Sequence, residues 1–140
     1  MNETSATSGQ QSLLRKHGMK ATPQRLAIAR LLLAKPTHTT AQQLCEQLKP
    51  DFPSISQNTV YLTLASFEES GLLRRLCADG KTIFDSNITP HHHGLCRTCG
   101  VIEDIPETKK TVHPEALQQW HIEHHTLTWT GLCPACSVHN

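Results

Sequence analysis

Between His91 and Gly100 the chain reads His-His-His-Gly-Leu-Cys-Arg-Thr-Cys-Gly, and this stretch limits what the rest can become. Three imidazoles and two thiols in ten residues are side chains that divalent transition metals prefer. As a strand, the stretch turns His91 and His93 to one face and His92 to the other. Cys96 and Cys99 form a C-x2-C knuckle, and a second, Cys133 with Cys136, follows 34 residues after Cys99. Four thiolates fill the tetrahedral shell of zinc and leave no position open for catalysis. The spacing therefore predicts one structural Zn2+ per subunit on Cys96, Cys99, Cys133 and Cys136.

At 140 residues the chain is one domain or two small ones. No apolar run reaches the roughly 18 residues of a membrane span. Residues 1–11 are polar and lack the apolar core of a signal peptide. Two cysteine knuckles plus Cys45 and Cys77 fit a metal protein of a reducing compartment better than a disulfide scaffold. The expectation is a cytoplasmic protein with no membrane partner. Net charge is +1, but residues 1–86 hold ten basic and seven acidic residues, and residues 87–140 hold three and five. That excess is consistent with a basic N-terminal half and is too small to argue nucleic-acid binding alone.

Along the first half, helical signals recur. A short helix is expected from Gln11 to His17, stopped by Gly18. Thr22-Pro23 reads as an N-cap followed by proline at the first helical position, opening a helix to about Ala34. Thr40 with Gln43 resembles a capping box, and Ala41, Leu44, Cys45 and Leu48 supply the apolar face of the helix behind it. Ser56 caps a fourth helix to about Ser70, with Val60, Leu64 and Phe67 inward. Leu72–Cys77 and Lys81–Asp85 then read as strands joined through Asp79-Gly80, a hairpin signal.

Three helices followed by a hairpin is the order of a winged helix-turn-helix, whose last helix enters the major groove of double-stranded DNA. Near the start of that helix, Tyr61 is expected to lay its ring on thymine methyls and Asn58 to reach a base or a phosphate. Arg25, Lys20, Lys16, Arg15, Arg74, Arg75 and Lys81 are candidates for the phosphate backbone or the minor groove. Residues 1–86 are thus read as a DNA-binding domain.

Past Ser86 the composition changes. Val101–Ile105 and Thr126–Thr130 read as strands, the latter placing Leu127 and Trp129 on one face. Pro114 to about Trp120 or His121 reads as a short helix with Leu117 and Trp120 inward. So few apolar residues cannot build a core alone, and a zinc clip and a partner subunit must supply the remainder. Residues 87–140 are read as a metal-binding dimerisation domain, making the whole an α+β chain. His91 and His93 have carboxylates nearby in sequence at Asp85 and at Glu103 or Asp104. Imidazole with carboxylate suits Fe2+, Mn2+ or Zn2+ and marks a second, regulatory site. His17, His113, His121, His124 and His139 are read as solvated or structural.

With Thr22-Pro23-Gln24-Arg25, Thr59-Val60-Tyr61, Phe84-Asp85, His91-x-His93-x2-Cys96-x2-Cys99-Gly100 and Cys133-x2-Cys136, the sequence resembles the ferric uptake regulator superfamily from about Leu13 to Cys136. The resemblance implies a homodimeric, metal-dependent transcriptional repressor on a palindromic operator, with a winged helix-turn-helix domain followed by an α/β dimerisation domain. It implies a sensory site drawn from His38, Asp85, His91, His93 and Asp104. Glu103 is the fallback, because its side chain takes the opposite strand face. Aspartates at 85 and 104 resemble the peroxide-responsive branch. There Fe2+ reacts with H2O2 and a histidine ligand is oxidised, by analogy His38 or His91, while Mn2+ supports repression without that reaction.

Leu62 departs from that branch, where a polar residue is usual. Pro90 replaces a ligand of an additional site found in some iron regulators, of which His92 and His125 are the remaining candidate members. Cys77 keeps zinc sensing as an alternative, beside iron-uptake regulation without peroxide sensing. Two other classes compete: a metalloenzyme around a metal-bound water, which lacks any further nucleophile or acid set, and a zinc carrier without DNA contact.

Overall fold

The computed structural model describes residues 3–107 and 114–138, with side chains from residue 8 onward. The chain divides into two compact units, Met1–Ile88 and Thr89–Asn140.

The first unit holds four helices, α1 (Glu3–Lys16), α2 (Pro23–Leu33), α3 (Ala41–Leu48) and α4 (Gln57–Glu69), and three strands, β1 (His38–Thr39), β2 (Arg74–Ala78) and β3 (Lys81–Asp85). The first helix starts well ahead of the expected Gln11. No proline precedes Pro23, and Gly9 costs a helix only about 1 kcal/mol, so nothing forces a later start. The other starts follow their caps. Thr22 accepts the Arg25 amide at 3.3 Å. Thr40 accepts the Gln43 amide at 3.2 Å while the Gln43 side chain accepts the Thr40 amide at 3.0 Å, a reciprocal capping box. Ser56 takes the Thr59 amide at 3.1 Å.

The apolar faces of all four helices meet. Leu14, Ile28, Leu44, Val60, Leu64 and Phe67 are buried in one core, closed from the sheet side by Phe84. Cys45 sits in it as a small apolar residue whose thiol donates to the Ile55 carbonyl at 3.7 Å. The β2–β3 turn places Asp79 at φ 51° and Gly80 at φ 70°. Both central residues are left-handed, as a two-residue hairpin turn requires. An element the sequence did not announce completes the sheet: β1 pairs antiparallel with β3, giving the order β1-β3-β2 and setting His38 opposite Asp85.

The second unit is a sheet of β4 (His91–Cys96), β5 (Ile102–Pro106) and β6 (Thr128–Gly131) in the order β5-β4-β6, with a short helix α5 (Pro134–Ser137). β4 runs antiparallel to β5 and parallel to β6. The helix expected after Pro114 is one 3-10 turn, Glu115–Leu117. Trp120 is 70% exposed instead of inward. Leu117 and Trp120 offer an apolar stripe one turn long, too little to offset helix nucleation. Among the described residues of this unit the buried apolar side chains are Leu95 and Cys96, whereas Val101, Leu127, Trp129 and Val138 are exposed. No helix among the described residues is long and apolar enough to cross a membrane.

The capping box gives a direct test of how α3 is held. Thr40→Ala removes the side-chain acceptor and should lower the stability of the full chain by about 1 kcal/mol, read as a shift of the urea midpoint at unchanged slope.

Candidate metal centre

The four-cysteine cluster is built by two tight turns. After β4, the Gly100 amide donates to the Cys96 carbonyl at 2.9 Å, and Cys96 donates to the Val101 carbonyl at 3.0 Å. Gly100 holds φ 75°, a left-handed value that a side chain would strain. Cys133 caps α5, and Cys136 follows one turn later. The parallel pairing of Cys96 with Gly131 brings the knuckles together.

The four sulfurs lie within 4.8 Å of one another, and Cys99 Sγ is 3.7 Å from Cys133 Sγ. A tetrahedron with Zn–S near 2.3 Å has S···S edges of about 3.8 Å. The cluster therefore has the size a zinc shell needs. Its electrostatics point the same way. Backbone amides, that of Cys99 foremost and then Cys133, lower the Cys96 thiol to about 6. The neighbouring Cys133 sulfur pushes Cys136 up to about 12, since a second thiolate there meets another sulfur. Four thiolates at this spacing repel one another, and a divalent cation removes that penalty.

The histidine–carboxylate chemistry is prepared separately in each unit. In the first, His38 Nε2 lies 3.3 Å from Asp85 Oδ2. Asp85 is 1% exposed, and its other oxygen accepts the Asn87 amide at 2.9 Å, which fixes the carboxylate plane. In the second, His93 stands opposite Asp104 in the β4–β5 register, while Glu103 stands opposite Gly94 on the other face. Asp104 Oδ1 is 3.2 Å from His91 Nε2 and 3.8 Å from His93 Nε2. His91 Nδ1 is 2.6 Å from the Thr89 carbonyl. A carbonyl only accepts, so Nδ1 carries a hydrogen; with a cation between Nε2 and the Asp104 carboxylate, Nε2 would offer its lone pair, the tautomer a metal ligand requires. Both sets fit a divalent cation with mixed nitrogen and oxygen preference.

A third grouping, His92, Glu107 and His125, also has ligand atoms within 4.8 Å of one another. His125 Nε2 is 3.4 Å from Glu107 Oε1, and the Leu127 amide donates to His92 Nδ1 at 3.2 Å. Glu107 was not singled out in the sequence; it stands just past the end of β5, with no motif around it. His17 is structural, its Nδ1 2.9 Å from the Ser70 carbonyl. His113 and His139 lie outside the described residues.

The expected DNA-side residues lie on the first unit. Asn58 is exposed in the first turn of α4, and Tyr61 is half-buried one turn later. Lys16 and Lys20 are exposed, and Arg25 donates to the Lys20 carbonyl at 3.3 Å. Sequence reasoning missed what Arg75 does. It donates to the Tyr61 hydroxyl at 3.0 Å, pairs with Glu68 at 2.7 Å, and lies 5.4 Å from the Phe84 ring. The only signal was an arginine in β2 together with a glutamate two helical turns past Tyr61.

A model of the ferric uptake regulator family matches residues 16–130 of this chain. The peroxide-responsive repressor PerR of Staphylococcus saprophyticus is 35% identical over 127 residues, covering 88% of this chain and 86% of that protein. The ferric uptake regulator Fur of Vibrio cholerae superposes with a TM-score of 0.68 at 26% identity, covering 88% of this chain and 98% of its own. Fur of Helicobacter pylori gives a TM-score of 0.70 at 19% identity over 96% of this chain and 93% of its own, a likeness of fold.

The thiolate cluster makes a quantitative demand. Structural zinc contributes an apparent ~10–16 kcal/mol. If four thiolates share it evenly, Cys136→Ser costs about 3 kcal/mol, or roughly a hundredfold in zinc affinity. Competition with a zinc-binding dye measures this, and the zinc-depleted chain should lose hydrogen-exchange protection in β4 and β6 first.

Proposed function

The chain belongs to the ferric uptake regulator family, and from that premise we propose that it is a repressor that holds operator DNA when metal-loaded and releases it when peroxide oxidises a metal-holding histidine. Membership makes it a metal-dependent DNA-binding regulator and not an enzyme. The observation that carries the peroxide-responsive reading is the pair of aspartates, Asp85 opposite His38 and Asp104 opposite His93. The identity to a peroxide-responsive repressor points the same way.

In this reading Zn2+ occupies Cys96, Cys99, Cys133 and Cys136. One exchangeable ion, Fe2+ or Mn2+, takes His38, Asp85, His91, His93 and Asp104. Residues 1–86 read DNA, through Asn58 and Tyr61 at base edges and Lys16, Lys20 and Arg25 at phosphates. Residues 87–140 pair with a second copy, which covers exposed apolar side chains such as Leu127 and Trp129. An ion that needs ligands from both stretches binds the arrangement that gathers them more tightly than any other. That difference in affinity sets the spacing of the two reading helices against a palindromic operator.

Fe2+ held by these residues would supply the electron that cleaves H2O2. With that electron and a proton given back by the ring adduct, imidazole plus H2O2 would become oxo-imidazole plus water, a net gain of one oxygen. His38 and His91 are the proposed targets. An oxidised ring at either position would carry hydrogen on both nitrogens and offer no in-plane lone pair to a metal, and the arrangement it helped gather would be lost. Mn2+ holds the same residues without supplying that electron.

Mass spectrometry tests this on the full zinc-containing chain. After brief exposure of the Fe2+ form to low H2O2, the peptide bearing His38 or His91 should carry one added oxygen and the protein should leave DNA. The Mn2+ form should stay unmodified and bound. An unmodified Fe2+ form that stays on DNA replaces this reading with iron- or zinc-uptake regulation.

A further inference from the structure

Arg75 is engaged within the protein in a way a phosphate-contacting arginine is not. Its guanidinium bridges two residues of one α4 face, donating to the Tyr61 hydroxyl at 3.0 Å and pairing with Glu68 at 2.7 Å. The same group lies 5.5 Å from the centre of the Tyr61 ring and 5.4 Å from that of Phe84. Phe84 is fully buried, stands opposite Arg75 in the β2–β3 register, and meets Tyr61 edge-on at 5.9 Å and 73°. Tyr61 is thus held from below by a core aromatic and at its hydroxyl by a fixed donor. A hydroxyl that accepts from Arg75 turns its own hydrogen away from Arg75 and can donate it to another acceptor.

We infer that Arg75 is a positioning residue for sequence readout: it sets the ring and hydroxyl of Tyr61 on α4, so that the helix reaches DNA with its reading side chain already ordered. The inference rests on the DNA-binding reading above. Glu68 pairs with the arginine at 2.7 Å and competes with a phosphate for its guanidinium. Lysine at this position keeps the charge but lacks the planar fork that spans Tyr61 and Glu68 together.

The test uses the full chain loaded with Zn2+ and Mn2+. The wild type first selects a duplex from a randomised pool of double-stranded DNA. Binding of the wild type, Arg75→Lys, Tyr61→Phe and the double variant is then measured on that duplex and its single base-pair substitutions, at several salt concentrations. Tyr61→Phe keeps the ring on Phe84 and removes only the hydroxyl.

The inference expects Arg75→Lys and Tyr61→Phe to lose discrimination at the same base pairs by about tenfold. The double variant should lose no more than either single one, and the salt slope should not change. Uniform weakening across all duplexes with the slope reduced by about one marks Arg75 as a phosphate contact and overturns the inference. Additive losses, or unchanged discrimination in Arg75→Lys, also overturn it. Failure of the wild type to enrich any duplex overturns the DNA-binding reading itself.

Discussion

An antiparallel register that sets an imidazole across from a carboxylate occurs in each half of the chain, and the proposed regulatory chemistry depends on it. In the first unit β1 and β3 place His38 opposite Asp85; in the second, β4 and β5 place His93 opposite Asp104. Directly opposed residues on one sheet face are the closest side-chain neighbours a sheet provides. The strand period of two then adds His91 to the same face as His93 and sends His92 and Glu103 to the other. A one-residue slip in either pairing would dismantle its half of the ligand set. The buried apolar residues of these strands, Phe84 in one sheet and Leu95 in the other, are therefore as necessary to the proposed metal chemistry as the proposed ligands.

The two halves reach stability by different routes. The first packs four helices on Phe84 and needs no metal to explain its core. The second has little buried apolar surface among its described residues and exposes Trp120, Leu127 and Trp129. Its sheet is stapled where Cys96, the last residue of β4, meets the turn before α5. The four sulfurs lie within 4.8 Å of one another, the spacing of a zinc shell, where four thiolates would repel. A dication bound there would turn that repulsion into cohesion. The proposed second copy would cover the apolar side chains left over.

Much of this was legible in the sequence because it rested on local chemistry. Thr22, Thr40 and Ser56 cap the helices they were expected to cap, since a cap acts over three residues. Asp79-Gly80 turns the hairpin because few residue pairs accept two left-handed positions. The cysteine knuckles needed only their spacing. What escaped was set by tertiary pairing. β1 is two residues long and has no period of its own, so His38 entered only through family resemblance. Trp120 looked like a core residue of a helix that has too little apolar partner to form. Arg75 read as one more phosphate contact, because nothing in the sequence says that β2 runs beside Tyr61 and Glu68.

The central claim is that one exchangeable ion takes ligands from both stretches of the chain, His38 and Asp85 on one side and His91, His93 and Asp104 on the other. Calorimetric titration of Mn2+ into the zinc-loaded full chain, with His38→Ala, His93→Ala and the double variant, tests it directly. The account predicts one exchangeable Mn2+ per subunit in the wild type, its affinity cut sharply by either substitution, with a double-variant loss well short of additive. Unchanged Mn2+ binding in His38→Ala, or two independent sites lost one at a time, would contradict it.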